Sequence, residues 1–84
     1  MNTPSAMPDQ ATCPDDVAVN SFAHAMSDKM RRSRAKGRHG WQDCPEDVLW
    51  RLLREHVEKG DPVDVANFAM MIHSNRERAK GPST

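Results

Sequence analysis

The sequence predicts an all-α protein, and three observations support this fold class. Apolar residues recur at intervals of three and four along three separate stretches, which is the spacing of one face of a helix. Each stretch opens with a proline and acidic residues, which suit the first turn of a helix. No segment alternates convincingly between apolar and polar residues, so no strand is expected. With 84 residues, the chain is at most one domain.

The first helix is predicted from about Pro14 to about Lys36. Proline suits the first helical position because an N–H there would have no partner within the helix, and Asp15 and Asp16 complement the helix dipole. We expect the helix to stop at Gly37. Its apolar stripe consists of Val19, Phe22, Met26 and Met30.

The second helix follows a loop over residues 37–44 and starts at Pro45 and Glu46. Gly60 is a natural stop for it, because glycine readily adopts the left-handed conformation that ends many helices. Its predicted apolar face consists of Leu49, Leu52, Leu53 and Val57.

The third helix follows at once, with Asp61 as its cap and Pro62 in the first helical position. It should end near Arg78–Lys80. The connection at Gly60 and Asp61 is so short that we expect the second and third helices to be antiparallel neighbours. The predicted architecture is a three-helix unit with an antiparallel helical hairpin, completing a bundle by dimerisation. The core stripe of the third helix consists of Val65, Phe68, Ala69 and Ile72.

The ends of the sequence are polar and contain prolines, so we expect mobile tails over residues 1–14 and 80–84 around a single helical domain over 15–79. A domain of this size can bury only a small core. We therefore expect the chain to form a homodimer or to dock on a larger partner.

Composition excludes several classes of protein. Twelve basic and twelve acidic residues cancel, which argues against a general nucleic-acid coat. No apolar run is long enough to span a bilayer, and the N-terminus lacks the pattern of a secretory signal. Two cysteines are too few for a disulfide scaffold. These features favour a cytoplasmic protein that is not associated with membranes.

Acidic residues flank the predicted hairpin and form the first candidate site. Glu55 precedes the turn at Gly60 by five residues, and Asp64 follows it by four, so the two carboxylates would lie at similar depth on facing helices. With Asp61, they could bind Mg²⁺, and Asn67 could orient a ligand or water. The alternative is that the aspartates only cap the third helix and that Glu55 pairs with a neighbouring cation.

Basic residues cluster at the end of the first helix and form the second candidate site. Lys36 and Arg38 could hold phosphates while the indole of Trp41 stacks on a base. The cations Arg31, Arg32 and Arg34 could instead contact an acidic partner surface. The alternative is a solvated helix end whose cations complement the helix dipole.

Three segments of the sequence form a recognisable set: residues 36–41 (KGRHGW), 52–57 (LLREHV) and 64–72 (DVANFAMMI). Together they resemble the small MazG-type nucleotide pyrophosphohydrolase-like proteins of bacteriophages and prophages, and the resemblance covers roughly residues 22–75. It implies an all-α bundle that dimerises or forms tetramers, located in the cytoplasm of a bacterial host cell. It also implies Mg²⁺-dependent cleavage of a nucleoside triphosphate between the α- and β-phosphates.

The resemblance assigns metal-binding positions with two departures. Glu55 matches the first glutamate of the acidic motif, Asp64 its final aspartate, and Asp61 stands where a second-motif glutamate would be. His56 and Lys59 replace two further glutamates. Fewer carboxylates mean a weak Mg²⁺ site and leave open whether the protein is catalytic.

Two functions remain as hypotheses, and a third is disfavoured. The first is a protein that binds or hydrolyses a nucleoside triphosphate. The second is a non-catalytic phage protein that binds and inhibits a host enzyme or defence complex, as an anti-CRISPR-type inhibitor does. A helix-turn-helix DNA regulator is disfavoured, because the third helix is largely apolar.

Overall fold

The computed structural model describes residues 13–81, which contain three α-helices and one short 3₁₀ turn and no strand. We number the helices α1 (Pro14–Ala35), α2 (Glu46–Lys59) and α3 (Pro62–Ala79); the 3₁₀ turn spans Trp41–Asp43. The all-α prediction is confirmed. Most of the predicted N-terminal tail and residues 82–84 lie outside the described residues. Within residues 13–81, no helix is both long and apolar enough to cross a membrane.

Helix α1 begins and ends where local chemistry predicts. Pro14 occupies its first position, and Asp15 and Asp16 lie in its first turn. The helix ends at Ala35, and Gly37 follows with a φ of 87°, a left-handed conformation that favours glycine. None of its residues is buried.

Helices α2 and α3 are separated only by Gly60 and Asp61. Gly60 caps α2 with a φ of 73°. Asp61 caps α3, because its carboxylate accepts a hydrogen bond from the backbone N–H of Asp64 at 3.2 Å. Both the glycine stop and the aspartate cap agree with the sequence analysis.

Helix α3 is the central element of the described part of the chain. It packs against α2 along the most extensive contact, and it also contacts α1 and the 3₁₀ turn, whereas in the described residues the Cα atoms of α1 and α2 stay more than 8 Å apart. The buried cluster consists of Leu49 from α2 with Met71 and Ile72 from α3. Half-buried side chains surround this cluster: Met30, Trp41, Cys44, Leu53, Phe68 and Met70.

Several residues predicted as core are exposed. Val57, assigned to the apolar face of α2, is 54% exposed. On α1, Val19 is 66% exposed and Phe22 is 39% exposed, because α3 reaches only the C-terminal half of that helix. The N-terminal half of the α1 stripe therefore has no partner within residues 13–81.

Candidate functional site

A lysine from α1 lies between the two aspartates that begin α3. The ammonium of Lys29 is 3.3 Å from a carboxylate oxygen of Asp61 and 3.0 Å from one of Asp64. All three side chains are partly buried, with 31%, 35% and 20% of their surface exposed. One cation thus bridges two carboxylates that the sequence predicted to bind Mg²⁺.

The electrostatics of this cluster are mutually stabilising. The hydrogen bond to Asp64 raises the pKa of Lys29 above its ordinary value of 10.5, and Asp61 contributes in the same direction. The backbone N–H of Asp64 lowers the pKa of Asp61 below 3.8, and Lys29 lowers it further. Both groups are therefore held in their charged forms near neutral pH.

His56 from α2 completes the surroundings of Asp64. Its Nε2 lies 3.7 Å from a carboxylate oxygen of Asp64, and its Nδ1 lies 2.8 Å from the carbonyl oxygen of Leu52. Since a carbonyl can only accept, Nδ1 carries a hydrogen and donates it. The imidazole also packs against the ring of Phe68, with centroids 4.9 Å apart. These contacts fix the orientation of the ring against α3.

Glu55, the third predicted metal ligand, lies apart from the two aspartates. It is exposed and faces Arg51 on its own helix, 3.8 Å away. Adjacent residues of a helix point about 100° apart, so turning His56 toward α3 turns Glu55 away from it. Within residues 13–81, no three His, Cys, Asp or Glu side chains are arranged to hold a metal ion. The structure thus brings together Asp61 and Asp64 but not Glu55.

Asn67 is buried between α1 and α3 instead of standing at an open ligand site. It is 3% exposed, and its Nδ2 donates to the carbonyl of Met26 at 3.3 Å. Its Oδ1 is buried and has no hydrogen-bond partner within the described residues. The side chain lies against a cleft of about 390 Å³ between the two helices, lined on the α1 side by Ala23, Met26, Ser27, Met30, Arg31 and Arg34.

Trp41 serves the packing of the fold. Its half-buried side chain packs against the cluster around Leu49, and its carbonyl accepts a hydrogen bond from Asn75 at 3.2 Å. The predicted ligand-binding residues Lys36 and Arg38 are exposed. In this loop, the half-buried indole packs on the core, whereas the two cations face solvent.

The predicted partner-binding arginines of α1 have three different environments. Arg31 forms an exposed ion pair with Asp28 on the same helix. Arg34 lines the cleft between α1 and α3. Arg32 is exposed and has no carboxylate partner in the part of the chain that the structure describes, and the same holds for Lys36 and Arg38. We call Arg32, Lys36 and Arg38 the basic end.

Sequence analysis did not identify Lys29 as the partner of the aspartates. Lys29 follows Met26 by three residues and precedes Met30, so its helical position borders the stripe that packs on α3. This position beside the apolar stripe was the feature of the sequence that could have indicated a contact between Lys29 and α3.

Comparison with known proteins identifies no relative. No family model, curated protein or solved structure matches the chain significantly. The fold and the contacts described above therefore define the class of protein, which is a small all-α protein whose acidic pair is bridged by a lysine of the same chain.

Proposed function

We propose that this chain is a non-catalytic binding protein that docks on an acidic surface of a partner protein through the basic end. The observation that carries this proposal is the contrast between two sets of cations. Lys29 is paired with both Asp61 and Asp64, whereas Arg32, Lys36 and Arg38 are exposed and have no carboxylate partner within residues 13–81. Unpaired cations on a surface attract and orient an acidic partner.

The acidic pair supports this choice over nucleotide hydrolysis. A catalytic Mg²⁺ would have to displace the ammonium of Lys29 and would find only Asp61 and Asp64, because Glu55 faces Arg51. Two carboxylates already paired with a cation offer little net charge for a metal. On this proposal the chain keeps a MazG-like helical fold, and Lys29 occupies the place between Asp61 and Asp64 where a metal ion would bind.

The scaffold itself would present the basic end rigidly. We infer that α2 and α3 form an antiparallel hairpin, because Glu46 at the start of α2 contacts Arg76 near the end of α3, whereas His56 contacts Asp64 at the other end. Lys29 and Met30 then fasten the C-terminal half of α1 to α3. The basic end follows directly from this fastened segment.

The test compares two charge-reversed proteins. The first carries Arg32→Glu, Lys36→Glu and Arg38→Glu; the matched control carries Arg51→Glu, Arg54→Glu and Lys59→Glu on α2, which changes the net charge equally. Proteins captured from a bacterial lysate by the immobilised wild-type chain are identified by mass spectrometry, and the binding of each is measured with the purified partner.

We expect the first variant to lose the binding of one acidic partner protein and the control variant to keep it. Binding of that partner to the wild type should also weaken at high salt. Equal binding by the wild type and the first variant would contradict the proposal. In parallel, wild-type protein is incubated with Mg²⁺ and each deoxynucleoside triphosphate, and release of pyrophosphate would favour the hydrolase hypothesis instead.

A further inference from the structure

The cleft between α1 and α3 has the size and lining of a small-molecule site. Its volume of about 390 Å³ lies within the range of such sites. Three half-buried methionines line it, Met26 and Met30 from α1 and Met70 from α3. Met26 and Met30 are four residues apart, so they lie one above the other on the same face of α1. The two helices therefore share one apolar lining.

A lining of methionines favours an aromatic ligand. The thioether sulfur makes favourable contacts with aromatic rings, and the unbranched side chain adapts to the shape of an inserted group. Because the three methionines come from two facing helices, a flat ring between the helices can meet thioethers on both sides. Among apolar groups, an aromatic ring gains most from this lining.

Asn67 adds an acceptor that lacks a donor. Its side chain lines the same cleft and is 3% exposed. Its Nδ2 donates to the carbonyl of Met26, whereas its Oδ1 is buried and has no hydrogen-bond partner among residues 13–81. A buried acceptor without a donor is unfavourable. A ligand with a ring N–H or hydroxyl would satisfy Oδ1 once a flexible methionine of the lining moves aside.

Arg34 adds a cation farther along the cleft. Its side chain lines the cleft, is exposed, and has no carboxylate partner in the described part of the chain. It follows Met26 by two helical turns, about 12 Å along α1. Side chains on a helix lean toward its N-terminus, so Arg34 extends back toward Met30. Arg31, the other cation of the lining, is already paired with Asp28.

We infer that this cleft binds a small aromatic carboxylate whose ring carries an N–H or hydroxyl donor. The ring lies among the three methionines, its donor meets Oδ1 of Asn67, and its carboxylate pairs with Arg34. A guanidinium binds one carboxylate through two parallel hydrogen bonds. A nucleoside triphosphate is a poorer match, because its several negative charges would meet a single unpaired cation in the lining.

This inference goes beyond the proposed function and does not depend on it. The basic end contributes no residue to the lining of the cleft. Loss of ligand binding through a change in the cleft is therefore distinguishable from loss of a protein partner through charge reversal at the basic end.

The probe for this site is indole-3-acetate, which combines a fused aromatic ring system, a ring N–H and a carboxylate. A ligand of this size is expected to bind with a Kd on the order of 1 mM or below. The full chain, labelled with carbon-13 on its methionine methyl groups, is titrated to about 10 mM probe and followed by NMR. The methyl signals of Met26, Met30 and Met70 are expected to shift. Met71, which is buried beside Leu49, is the internal control and should shift least.

Matched ligands test the two polar contacts. Indole-3-acetamide keeps the ring and its N–H but has no charge, and it is expected to bind about tenfold more weakly than indole-3-acetate, a difference of about 1.4 kcal/mol. 1-Methylindole-3-acetate has no ring N–H and is expected to bind at least about threefold more weakly. Deoxyadenosine triphosphate at the same concentrations is expected to leave the methionine signals unshifted.

Protein variants test the two ends of the cleft. Arg34→Gln is expected to reduce the preference for indole-3-acetate over the amide to about twofold or less, whereas Arg54→Gln, an exposed position on α2, keeps the preference. Ala23→Phe places a ring in the cleft and is expected to abolish binding. His24→Phe makes a similar addition at an exposed position outside the lining and should bind like the wild type.

Four results would overturn the inference. They are unshifted methionine signals at about 10 mM probe; equal affinity for indole-3-acetate and either matched indole ligand; an unchanged preference in Arg34→Gln; and tighter binding of deoxyadenosine triphosphate than of the probe. Circular dichroism establishes that each variant is folded. Where Ala23→Phe loses helicity, Ser27→Phe replaces it, because Ser27 is also an exposed residue of the lining.

Discussion

The ammonium of Lys29 lies 3.0 Å from the carboxylate of Asp64, although 35 positions separate the two residues in the chain. This contact, together with the 3.3 Å contact to Asp61, is the principal polar link between α1 and α3. It joins the segment that leads into the basic end to the helix that carries most of the core. It also occupies the position between two carboxylates where a metal ion was predicted.

Replacing Lys29 should loosen the attachment of α1. Lys29→Met keeps the length and apolar stem of the side chain and removes its charge, leaving two neighbouring aspartates without a cation. We expect the free energy of unfolding to fall by about 1 kcal/mol, the upper end for partly exposed ion pairs. Urea denaturation followed by circular dichroism measures it.

The matched control for this variant is Arg51→Met. Arg51 contacts Glu55 on the same helix at 3.8 Å, and both side chains are more than half exposed. Such a pair contributes little, so the control should unfold within a few tenths of a kcal/mol of the wild type. Equal destabilisation by the two substitutions would contradict the role assigned to Lys29.

The response to Mg²⁺ should depend on the same lysine. In the wild type, we expect about 10 mM Mg²⁺ to leave the melting temperature nearly unchanged, because the ammonium of Lys29 occupies the space between the two aspartates and cancels half of their charge. In Lys29→Met, the exposed carboxylates should bind the ion weakly and the melting temperature should rise, since binding to the folded state alone stabilises it. Adding Asp64→Asn to this variant should remove the rise.

An equally large rise in the wild type would mean that Mg²⁺ displaces the ammonium. That result would return the acidic pair to the metal-binding role that the MazG resemblance implies. Thermal melts with about 10 mM Na₂SO₄ in place of the magnesium salt serve as the control for ionic strength.

The helices could be predicted from sequence because their ends depend on nearby residues. Pro14, Gly60 and Asp61 act through backbone geometry and hydrogen bonds within a single turn, which leaves little for the rest of the fold to alter. The 3₁₀ turn at Trp41–Asp43 was not predicted, because its three residues are too few to show a helical spacing of apolar residues. Two backbone bonds hold it, from Asp43 to Gly40 and from Cys44 to Trp41.

The candidate site was predicted only in part because its contacts cross between helices. Asp61 and Asp64 share one helix start, so their proximity follows from sequence spacing alone. The choice between Glu55 and His56 depends on how α2 is rotated against α3, and neighbouring residues give no information on that rotation. The Lys29 contact depends on where α1 crosses α3, which the sequence pattern leaves undetermined.

Acid should weaken the protein through Glu46. Hydrogen bonds from Arg76 and Trp50 lower the pKa of Glu46 from 4.5 to about 2. A carboxyl whose pKa is lower in the folded state contributes stability above its unfolded pKa, and that contribution is lost as pH falls toward the folded value. We therefore expect the urea midpoint to decrease between about pH 4.5 and pH 2.

Glu46→Gln tests the assignment of this acid response. The variant cannot form the ion pair with Arg76, so its urea midpoint should be lower than that of the wild type at pH 7 and should depend less on pH below 4.5. Asp47→Asn, in the same helical turn, is the control. Its urea midpoint should fall with pH as steeply as that of the wild type. If the urea midpoint of Glu46→Gln fell with pH as steeply as that of the wild type, other carboxylates would be responsible for the acid response.

The small core makes Leu49 the residue on which stability depends most. Leu49 is 2% exposed and packs against Met71 and Ile72, which are the two other buried apolar residues in the described part of the chain. Removing a buried leucine side chain lowers the free energy of unfolding by about 3 kcal/mol, which is a large share of the stability of so small a domain. Leu49→Ala should therefore leave a sizeable unfolded population at 25 °C, measured by circular dichroism and by the combined fluorescence of Trp41 and Trp50. Val57→Ala, at a position that is 54% exposed, should change stability by less than about 1 kcal/mol. If the two substitutions proved equally costly, the core would extend over the outer face of α2, and the exposed position of Val57 would then mark an interface that is closed in solution.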